Sequence, residues 1–379
     1  MSVWSSLNRL LLPGFAFKAV VIGGGYATGR ELVEFFMPAG VAGGLYGMLL
    51  AMVIWSGLCA LTFLFAFRFG TLDYQSFFHA LLGRGDVLFE LLYFAFLILV
   101  LATFGAAAGE LGRALFGLPP LVGTLSLIGL ILIVVSQGQG ATEALFKYVS
   151  ILLYGAYAIF LALTLASFGS RILPGLGEAP TGSAWMLGGV TYASYNVIGA
   201  VLVLPVLRHL QSERDAVVAG LLAGPLAMIP AILFFVCLTP FYPAIVAEPL
   251  PSDYVLRALG SPLFHILFQF MVFFALLECS VGFVQAFVAR LDQYNMRRGR
   301  ATPRYARLAV PAAATFGSVF IATSIGLVEL IAHGYRLVAY AILLVFILPL
   351  LTIGLVRLRA ATATPSRRSA PHHADRRSS

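Results

Sequence analysis

A run of glycines inside an apolar segment is the first feature of the sequence that could do chemistry. Gly23, Gly24 and Gly25 follow the apolar residues 19–22, and residues 26–29 read Tyr-Ala-Thr-Gly. A glycine costs a helix interior about 1 kcal/mol relative to alanine, so a helix through this segment is predicted to be interrupted. An interruption inside a bilayer frees backbone N–H and C=O groups, which is tolerated where they line a cavity. Freed N–H groups can bind a carboxylate, and freed carbonyls can bind an ammonium or a metal cation.

A second group of polar residues interrupts an apolar segment in the middle of the chain. Gly188 and Gly189 precede residues 191–196, which read Thr-Tyr-Ala-Ser-Tyr-Asn, and Gly199 and Pro205 follow them. Hydroxyl and amide groups at this position would contact the polar atoms of a small solute. Close packing of helices through small residues is the alternative explanation for the glycines. The predicted substrate-binding residues are Gly23, Gly24, Gly25, Tyr26, Thr28, Tyr192, Ser194, Tyr195 and Asn196.

Charged residues within the apolar segments indicate how such a solute could be coupled to an ion. Glu278 lies with Ser280 near the centre of an apolar segment, and a carboxylate at that depth is costly and therefore usually functional. Lys18 and Lys147 are the two lysines of the chain, and both fall in apolar segments. We predict that these four residues take part in ion coupling, with H+ or Na+ as the ion. For Lys147 the alternative is a side chain that reaches the membrane surface from the end of its helix.

A third set of charges lies further toward the predicted outer side. Arg30, Glu31 and Glu34 follow the glycine run, and Glu110 and Arg113 lie in another apolar segment. We predict that these residues form an external gate of ion pairs. The simpler alternative is that Arg30 and Glu34 pair with each other at positions i and i+4 of one helix.

Membrane-spanning helices must position these residues. Apolar residues make up 60% of the 379 residues and charged residues 11%, whereas a globular domain is about 45–50% apolar and about a quarter charged. The apolar runs are long and continuous, as in α-helices, rather than short and alternating, as in a β-barrel. The sequence therefore predicts an all-α polytopic membrane protein. Its ten predicted spans are residues 12–36, 41–67, 87–116, 119–136, 141–168, 183–207, 214–240, 262–290, 305–325 and 335–357.

The order of the spans predicts an internal repeat within a transmembrane domain of residues 12–357. The two interrupted segments are spans 1 and 6, so each opens a group of five spans, residues 12–168 and residues 183–357. Because five is odd, the two groups must cross the membrane in opposite orientations. Inverted repeats with interrupted helices in matching positions are typical of secondary transporters.

The distribution of positive charge predicts the orientation in the membrane. The net charge is +8, and the arginines concentrate on the side that carries both termini, which the positive-inside rule places in the cytoplasm. Because topology accounts for the basic residues, we predict membrane lipid and no nucleic acid as partners. Residues 1–11 are predicted to be a cytoplasmic N-terminus and residues 358–379 a disordered basic cytoplasmic tail. The loop 241–261 is predicted to carry a short external helix. Residues 326–334 either end span 9 or form a second short external helix.

Residues 22–36 read Ile-Gly-Gly-Gly-Tyr-Ala-Thr-Gly-Arg-Glu-Leu-Val-Glu-Phe-Phe. This segment resembles the signature of the uncharacterised bacterial YkvI-type membrane proteins. Residues 192–196 also resemble that group, which is regarded as part of the amino acid–polyamine–organocation (APC) superfamily of permeases. The resemblance implies a LeuT-type fold of five plus five helices in the bacterial cytoplasmic (inner) membrane. It also implies a Na+ site between spans 1 and 8, or a lysine of span 5 in its place, which would be Lys147. It does not identify the solute.

The sequence contains none of the motifs that would indicate an enzyme. There is no His-Glu-x-x-His, no Gly-x-Ser-x-Gly and no Cys/His cluster with metal-ligand spacing, so we expect no cofactor beyond Na+ as a candidate coupling ion. The predicted function is secondary active transport of a small zwitterionic or amine solute, such as an amino acid, coupled to H+ or Na+ by alternating access. A channel, or a receptor that binds without transporting, is the alternative. The oligomeric state is left open.

Overall fold

The spans form an all-helical bundle. A computed structural model describes residues 3–137, 139–172, 182–297 and 303–363, and no strand occurs within these ranges. The helices long and apolar enough to cross a membrane without interruption are Arg30–Phe69, Tyr74–Phe116, Pro120–Gln137, Gly140–Arg171, Glu213–Phe241, Pro262–Val288 and Leu327–Ala361. They correspond to predicted spans 2, 3, 4, 5, 7, 8 and 10. The interrupted spans 1 and 6 and span 9 complete the set, so the prediction of an all-α polytopic membrane protein is confirmed.

Span 1 consists of two helices joined by a single helical turn. The first helix is Val3–Val21, the turn is Gly24–Ala27, and the second helix is Arg30–Phe36. Gly23 is extended (φ −111°, ψ −162°), and Gly29 has a positive φ of 79°, which glycine adopts at little steric cost. The interruption of span 1 is therefore confirmed at the glycines that predicted it.

Span 6 is interrupted later than its polar residues suggest. Its parts are, in order, the helices Ala184–Asn196 and Ile198–Leu202 and the 3-10 helix Leu204–His209. The interruption is confirmed, but residues 191–196 are helical. Ser194 donates a hydrogen bond to the carbonyl of Val190 at 2.7 Å. Asn196 donates one to the carbonyl of Tyr192 at 3.1 Å. These side chains therefore bond to carbonyls of their own helix, and the chain breaks only after them.

Spans 2, 3, 4, 5, 7 and 9 follow the predicted bounds closely, whereas span 8 ends later than predicted. Span 10 begins earlier and runs to Ala363, past the predicted start of the disordered tail at residue 358. The helices of the other uninterrupted spans are Gly40–Phe69 (span 2), Asp86–Phe116 (span 3), Pro120–Gln137 (span 4), Gln139–Phe168 (span 5), Glu213–Leu238 (span 7), Pro262–Arg297 (span 8) and Arg304–Ile325 (span 9). Span 10 begins at Leu327 and contains π-helical turns at Leu330–Tyr335, Leu343–Ile347 and Leu350–Gly354. The prediction for residues 326–334 is wrong, because Gly326, with a φ of 88°, ends span 9 and the residues after it open span 10.

Two short helices lie in the loops between spans. Pro251–Leu259 lies between spans 7 and 8, where the sequence predicts a short external helix. Tyr74–Leu82, between spans 2 and 3, was not predicted. It begins at Asp73, whose side chain accepts a hydrogen bond from the amide of Ser76 at 2.9 Å, as an N-cap residue does.

Two ion pairs and a hydrogen bond join four chain segments at one end of the bundle. Arg9 pairs with Asp215 at 3.2 Å, and Arg68 pairs with Glu213. Arg68 also donates to the carbonyl of Leu358 at 2.9 Å. The start of span 1 and the far end of span 10 therefore lie at the same end, as an even number of spans requires. We call this the N-terminal end; its location in the cytoplasm remains a prediction from charge.

Glycines hold spans 2, 6 and 7 close together. A Cβ atom at Gly220 of span 7 would overlap the backbone of Ala60 in span 2. In the same way, a Cβ atom at Gly189 of span 6 would overlap the carbonyl of Gly47, and one at Gly188 would overlap a carbonyl of span 1. Gly188 and Gly189 therefore serve close helix packing, which was the alternative explanation for them, rather than the interruption of span 6.

Replacing Gly220 with valine should destabilise the protein, because the new side chain must push span 2 away from span 7. We expect a loss of about 1–3 kcal/mol, measured as a lower midpoint of thermal unfolding in detergent. Gly57→Val in span 2 is the matched control, because nothing lies within 4 Å of a Cβ atom at Gly57. Equal midpoints for the two variants would contradict the close contact of spans 2 and 7.

Candidate substrate and ion site

The loop of residues 241–261, which we call the external loop after its predicted side, covers one side of the interruption in span 1. The amide of Ser252, in the first turn of the external helix, donates to the carbonyl of Thr28 at 3.0 Å. The amide of Arg30 donates to the Thr28 hydroxyl at 3.2 Å, and the amide of Gly29 donates to the carbonyl of Tyr26 at 2.9 Å. Part of the backbone that the interruption frees is therefore satisfied by the protein itself.

On the other side the interruption faces span 8. A Cβ atom at Gly23 would lie 2.9 Å from Sγ of Cys279, so glycine is needed for this close approach. A cavity of about 380 Å³ lies here, and we call it the central cavity. It is lined by Lys18, Ala19, Val20, Ile22, Gly23, Tyr93, Phe146, Leu153, Tyr154, Leu202, Ala275, Glu278, Cys279, Gly282, Phe283 and Ala286. Its span 1 residues end at Gly23, so the cavity lies on the N-terminal side of the interruption.

The central cavity contains side chains of both charge signs. Lys18 is half-buried, and its Nζ donates to the hydroxyl of Tyr154 at 2.9 Å and lies 4.3 Å from the centre of the Tyr154 ring. Glu278 lines the cavity from span 8 and is also half-buried. Ligand pockets commonly measure about 300–1,000 Å³. A lysine and a carboxylate in a cavity of this size can bind the carboxylate and the ammonium of a small zwitterion.

The other two residues with a predicted role in ion coupling lie elsewhere. Lys147 is exposed, with its Nζ 5.8 Å from the centre of the Tyr148 ring. This position agrees with the alternative in which Lys147 reaches the membrane surface. Ser280 is fully buried in span 8, and its hydroxyl has no hydrogen-bond partner among the described residues. Buried hydroxyls normally have a partner. The hydroxyl oxygen of Ser280, the residue after Cys279, is therefore available to bind an ion. The coupling roles remain predictions.

Most of the predicted substrate-binding side chains pack inside the bundle. Tyr26 donates to the carbonyl of Pro230 at 2.7 Å and lines a smaller cavity of about 130 Å³ between spans 1, 5 and 7. Tyr192 is fully buried, with its ring centre 4.9 Å from that of Phe36. Gly23 lines the central cavity, whereas Ser194 and Asn196 bond to their own helix. Their roles in binding remain predictions.

The aromatic lining of the central cavity was missed by the sequence analysis. Tyr93 and Phe283 lie within long apolar runs, where sequence alone does not show which residues face a cavity. For Tyr154 a signal exists, because a lysine within an apolar span needs a polar partner and Tyr154 is that partner of Lys18.

Glu31 lies on the far side of the interruption, in the second helix of span 1. It is 5% exposed and accepts a hydrogen bond from the hydroxyl of Tyr195 at 2.6 Å. The ring centres of Tyr195 and Tyr335 are 4.9 Å apart. This group therefore joins spans 1, 6 and 10. Among the described residues Glu31 forms no ion pair, so the structure does not place it in the predicted network of ion pairs.

The other predicted gate residues form two separate pairs. Arg30 is 3% exposed, pairs with Glu34 at 2.5 Å and donates to two carbonyls of the external loop at 2.8 and 3.1 Å. Glu110 and Arg113 pair with each other within span 3 at 2.5 Å. Arg30 thus fastens span 1 to the external loop, and its pair with Glu34 has the i, i+4 spacing of the simpler alternative. A gating role for either pair remains a prediction.

Comparison with known proteins gives one relative by sequence. No protein-family model matches the chain. The uncharacterized membrane protein YkvI of Bacillus subtilis (strain 168) is 24% identical over 273 residues, which cover 71% of this chain and 77% of YkvI. The resemblance to YkvI-type proteins, first indicated by short motifs, is therefore confirmed over most of the chain.

Solved transporter structures share the architecture. MhsT in complex with L-phenylalanine matches with a TM-score of 0.60 at 17% identity, over 94% of this chain and 98% of MhsT. The manganese transporter of Eremococcus coleocola matches with a TM-score of 0.57 at 15% identity, over 93% of this chain and 80% of the transporter. Identities this low establish the fold alone. The chain therefore has the LeuT-type fold of these proteins, with spans 1 and 6 interrupted.

Proposed function

We propose that this chain is a secondary active transporter for a small zwitterionic or amine solute, such as an amino acid, in the cytoplasmic membrane. The observation that carries the proposal is the central cavity, which lies at the interruption of span 1 and contains Lys18 and Glu278. The binding of L-phenylalanine by MhsT, which has the same fold, supports an amino acid as the solute class. Coupling to H+ or Na+ would make the transport active.

The two charges of the central cavity define how a zwitterion would bind. The ammonium of Lys18 would bind the carboxylate of the solute, and the carboxylate of Glu278 would bind its ammonium. Charge-assisted hydrogen bonds of this kind are short and about twice as strong as neutral ones. The hydrogen bond from Lys18 to Tyr154 orients the lysine at the cavity wall, so less of its freedom is lost on binding.

The two sides of the interruption differ as alternating access requires. The central cavity lies on the N-terminal side. On the opposite side, Thr28 is bonded to the external helix, Arg30 to the external loop, and Glu31 to span 6. A transporter must keep one side closed while the other is open, whereas a channel needs both open at once. With both termini in the cytoplasm, this arrangement would face inward.

Neutralising either cavity charge should abolish most of the uptake. The solute would first be identified by a thermal-shift screen of amino acids and amines with and without Na+, since ligands stabilise the state they bind. In proteoliposomes, Lys18→Met and Glu278→Gln should each reduce uptake of that solute about tenfold or more, because each leaves one charge of the bound zwitterion unpaired.

Lys147→Met provides the matched control for uptake. Lys147 is the other lysine of the chain, and its side chain is exposed, so this variant should transport like the parent protein. Equal uptake by Lys18→Met and Lys147→Met would exclude the cavity as the solute site. An ohmic flux would indicate a channel, and binding without flux would indicate a receptor.

Cysteine labelling tests the inward-facing arrangement without knowledge of the solute. Cys279 lines the central cavity and is half-buried, whereas Cys59 and Cys237 are fully buried. We expect a membrane-impermeant maleimide to label Cys279 from the cytoplasmic side of inverted vesicles and not in intact cells. Cys279→Ser should remove this labelling. Labelling of Cys279 from the outside would show that the predicted orientation is wrong.

A further inference from the structure

Glu31 is a buried acid that the proposed binding of solute does not use. Its side chain is 5% exposed, and its hydrogen bond comes from the Tyr195 hydroxyl at 2.6 Å. Among the described residues no arginine, lysine or histidine forms an ion pair with Glu31. Its neighbour Arg30 is bonded instead to Glu34 and to the external loop. An uncompensated charge buried in a span is costly. The closed site therefore requires that Glu31 carry a proton or that a cation bind beside it.

The groups that face Glu31 favour a proton over a metal ion. Tyr195 of span 6 donates a hydrogen bond to it and packs against Tyr192 of the same span and Tyr335 of span 10, and Arg30 and Glu34 flank it on its own helix. The tyrosine rings pack on one another, with Tyr192–Tyr195 centres 5.5 Å and Tyr195–Tyr335 centres 4.9 Å apart. Hard metal ions need a shell of several oxygen ligands. A single hydroxyl beside a carboxyl group is instead sufficient to hold a proton.

The position of Glu31 links a bound proton to closure of the outer side. Glu31 lies in the helix Arg30–Phe36, Tyr195 lies next to the residue at which the first helix of span 6 ends, and Tyr335 lies in a π-helical turn of span 10. The outer side can open only if these three segments separate, and water would then reach Glu31. An ionised Glu31 is hydrated in the open form, whereas burying its charge in the closed form costs free energy.

We propose that Glu31 is a proton-binding site that controls closure of the outer side of the transporter. A proton binds to the Glu31 carboxylate from the outer solution, and the neutral acid then permits spans 1, 6 and 10 to close over it. No other bond forms or breaks. The proposal rests on the proposed function, because closure of the outer side is one step of alternating access, but its test does not require the solute.

The rate of Cys279 labelling is the measurement, because Cys279 lines the cavity that is accessible when the outer side is closed. The rate in the purified full chain is divided by the rate in the denatured chain at the same pH, which removes the effect of thiol ionisation. In the parent protein we expect this ratio to be higher at about pH 5 than at about pH 8, because burial disfavours the ionised carboxylate, by about threefold or more. Cys59 and Cys237 are fully buried and report whether each variant is folded.

Two neutral variants and one acidic variant separate the proton site from a structural role. In Glu31→Gln and Glu31→Met, Cys279 should be labelled at every pH as fast as it is in the parent protein at about pH 5. The reason is that the closed form no longer contains an ionisable group at position 31. Glu31→Asp should restore a pH-dependent rate. Glu329→Gln is the matched control, because Glu329 is an exposed acid that pairs with His333 at 3.2 Å, and this variant should keep the parent profile.

Several results would overturn the proposal. A parent profile without pH dependence, or the same profile in Glu31→Gln and in the parent, would exclude Glu31 as the proton site. A labelling rate that follows Na+ concentration at fixed pH, and loses this dependence in Glu31→Gln, would assign a metal cation to the site instead. A pH-dependent rate in a protein that shows no solute flux would support the proton site while contradicting the proposed transport function.

Discussion

The structure depends on one constraint, which is that each backbone polar group within a bilayer must have a partner. A helix satisfies this requirement by itself, and an interrupted helix does not. Span 1 therefore needs other parts of the chain at its interruption, and the external helix supplies one through the hydrogen bond from Ser252 to Thr28. On the opposite side the extended Gly23 faces span 8 and the central cavity. The cavity, the external helix and the approach of span 8 are in this sense consequences of the same break.

The charged residues follow the same division. At the N-terminal end of the bundle oppositely charged residues pair with each other, as Arg9 does with Asp215 and Arg68 with Glu213. Near the interruption the pattern changes, because Lys18 is bonded to a neutral tyrosine and Glu31 to another. Paired charges stabilise a fixed arrangement. A charge that has only a neutral partner can exchange it for a solute or a proton, and both proposed sites lie beside the interruption.

The sequence predicted features that depend on local composition and missed those that depend on tertiary contact. Three consecutive glycines weaken any helix, so the interruption of span 1 could be located from sequence. The polar residues of span 6 gave a false position, because Ser194 and Asn196 can bond to the carbonyls of their own helix. For Glu31 the sequence predicted a place in an external gate of ion pairs, whereas the structure shows a hydrogen bond from Tyr195. Successive residues on a helix point about 100° apart, so Arg30 faces the external loop while Glu31 faces span 6.

Span 10 contains three π-helical turns within the described residues, and this irregularity has a mechanical meaning. A π turn accommodates a hydrogen bond from residue i to i+5, so it holds one residue more than an α turn. Each π turn therefore changes the face of the helix on which the following residues lie, compared with an unbroken α-helix. The first of these turns contains Tyr335, whose ring centre lies 4.9 Å from that of Tyr195. The contact of span 10 with span 6 thus depends on an irregular turn rather than on the regular helix.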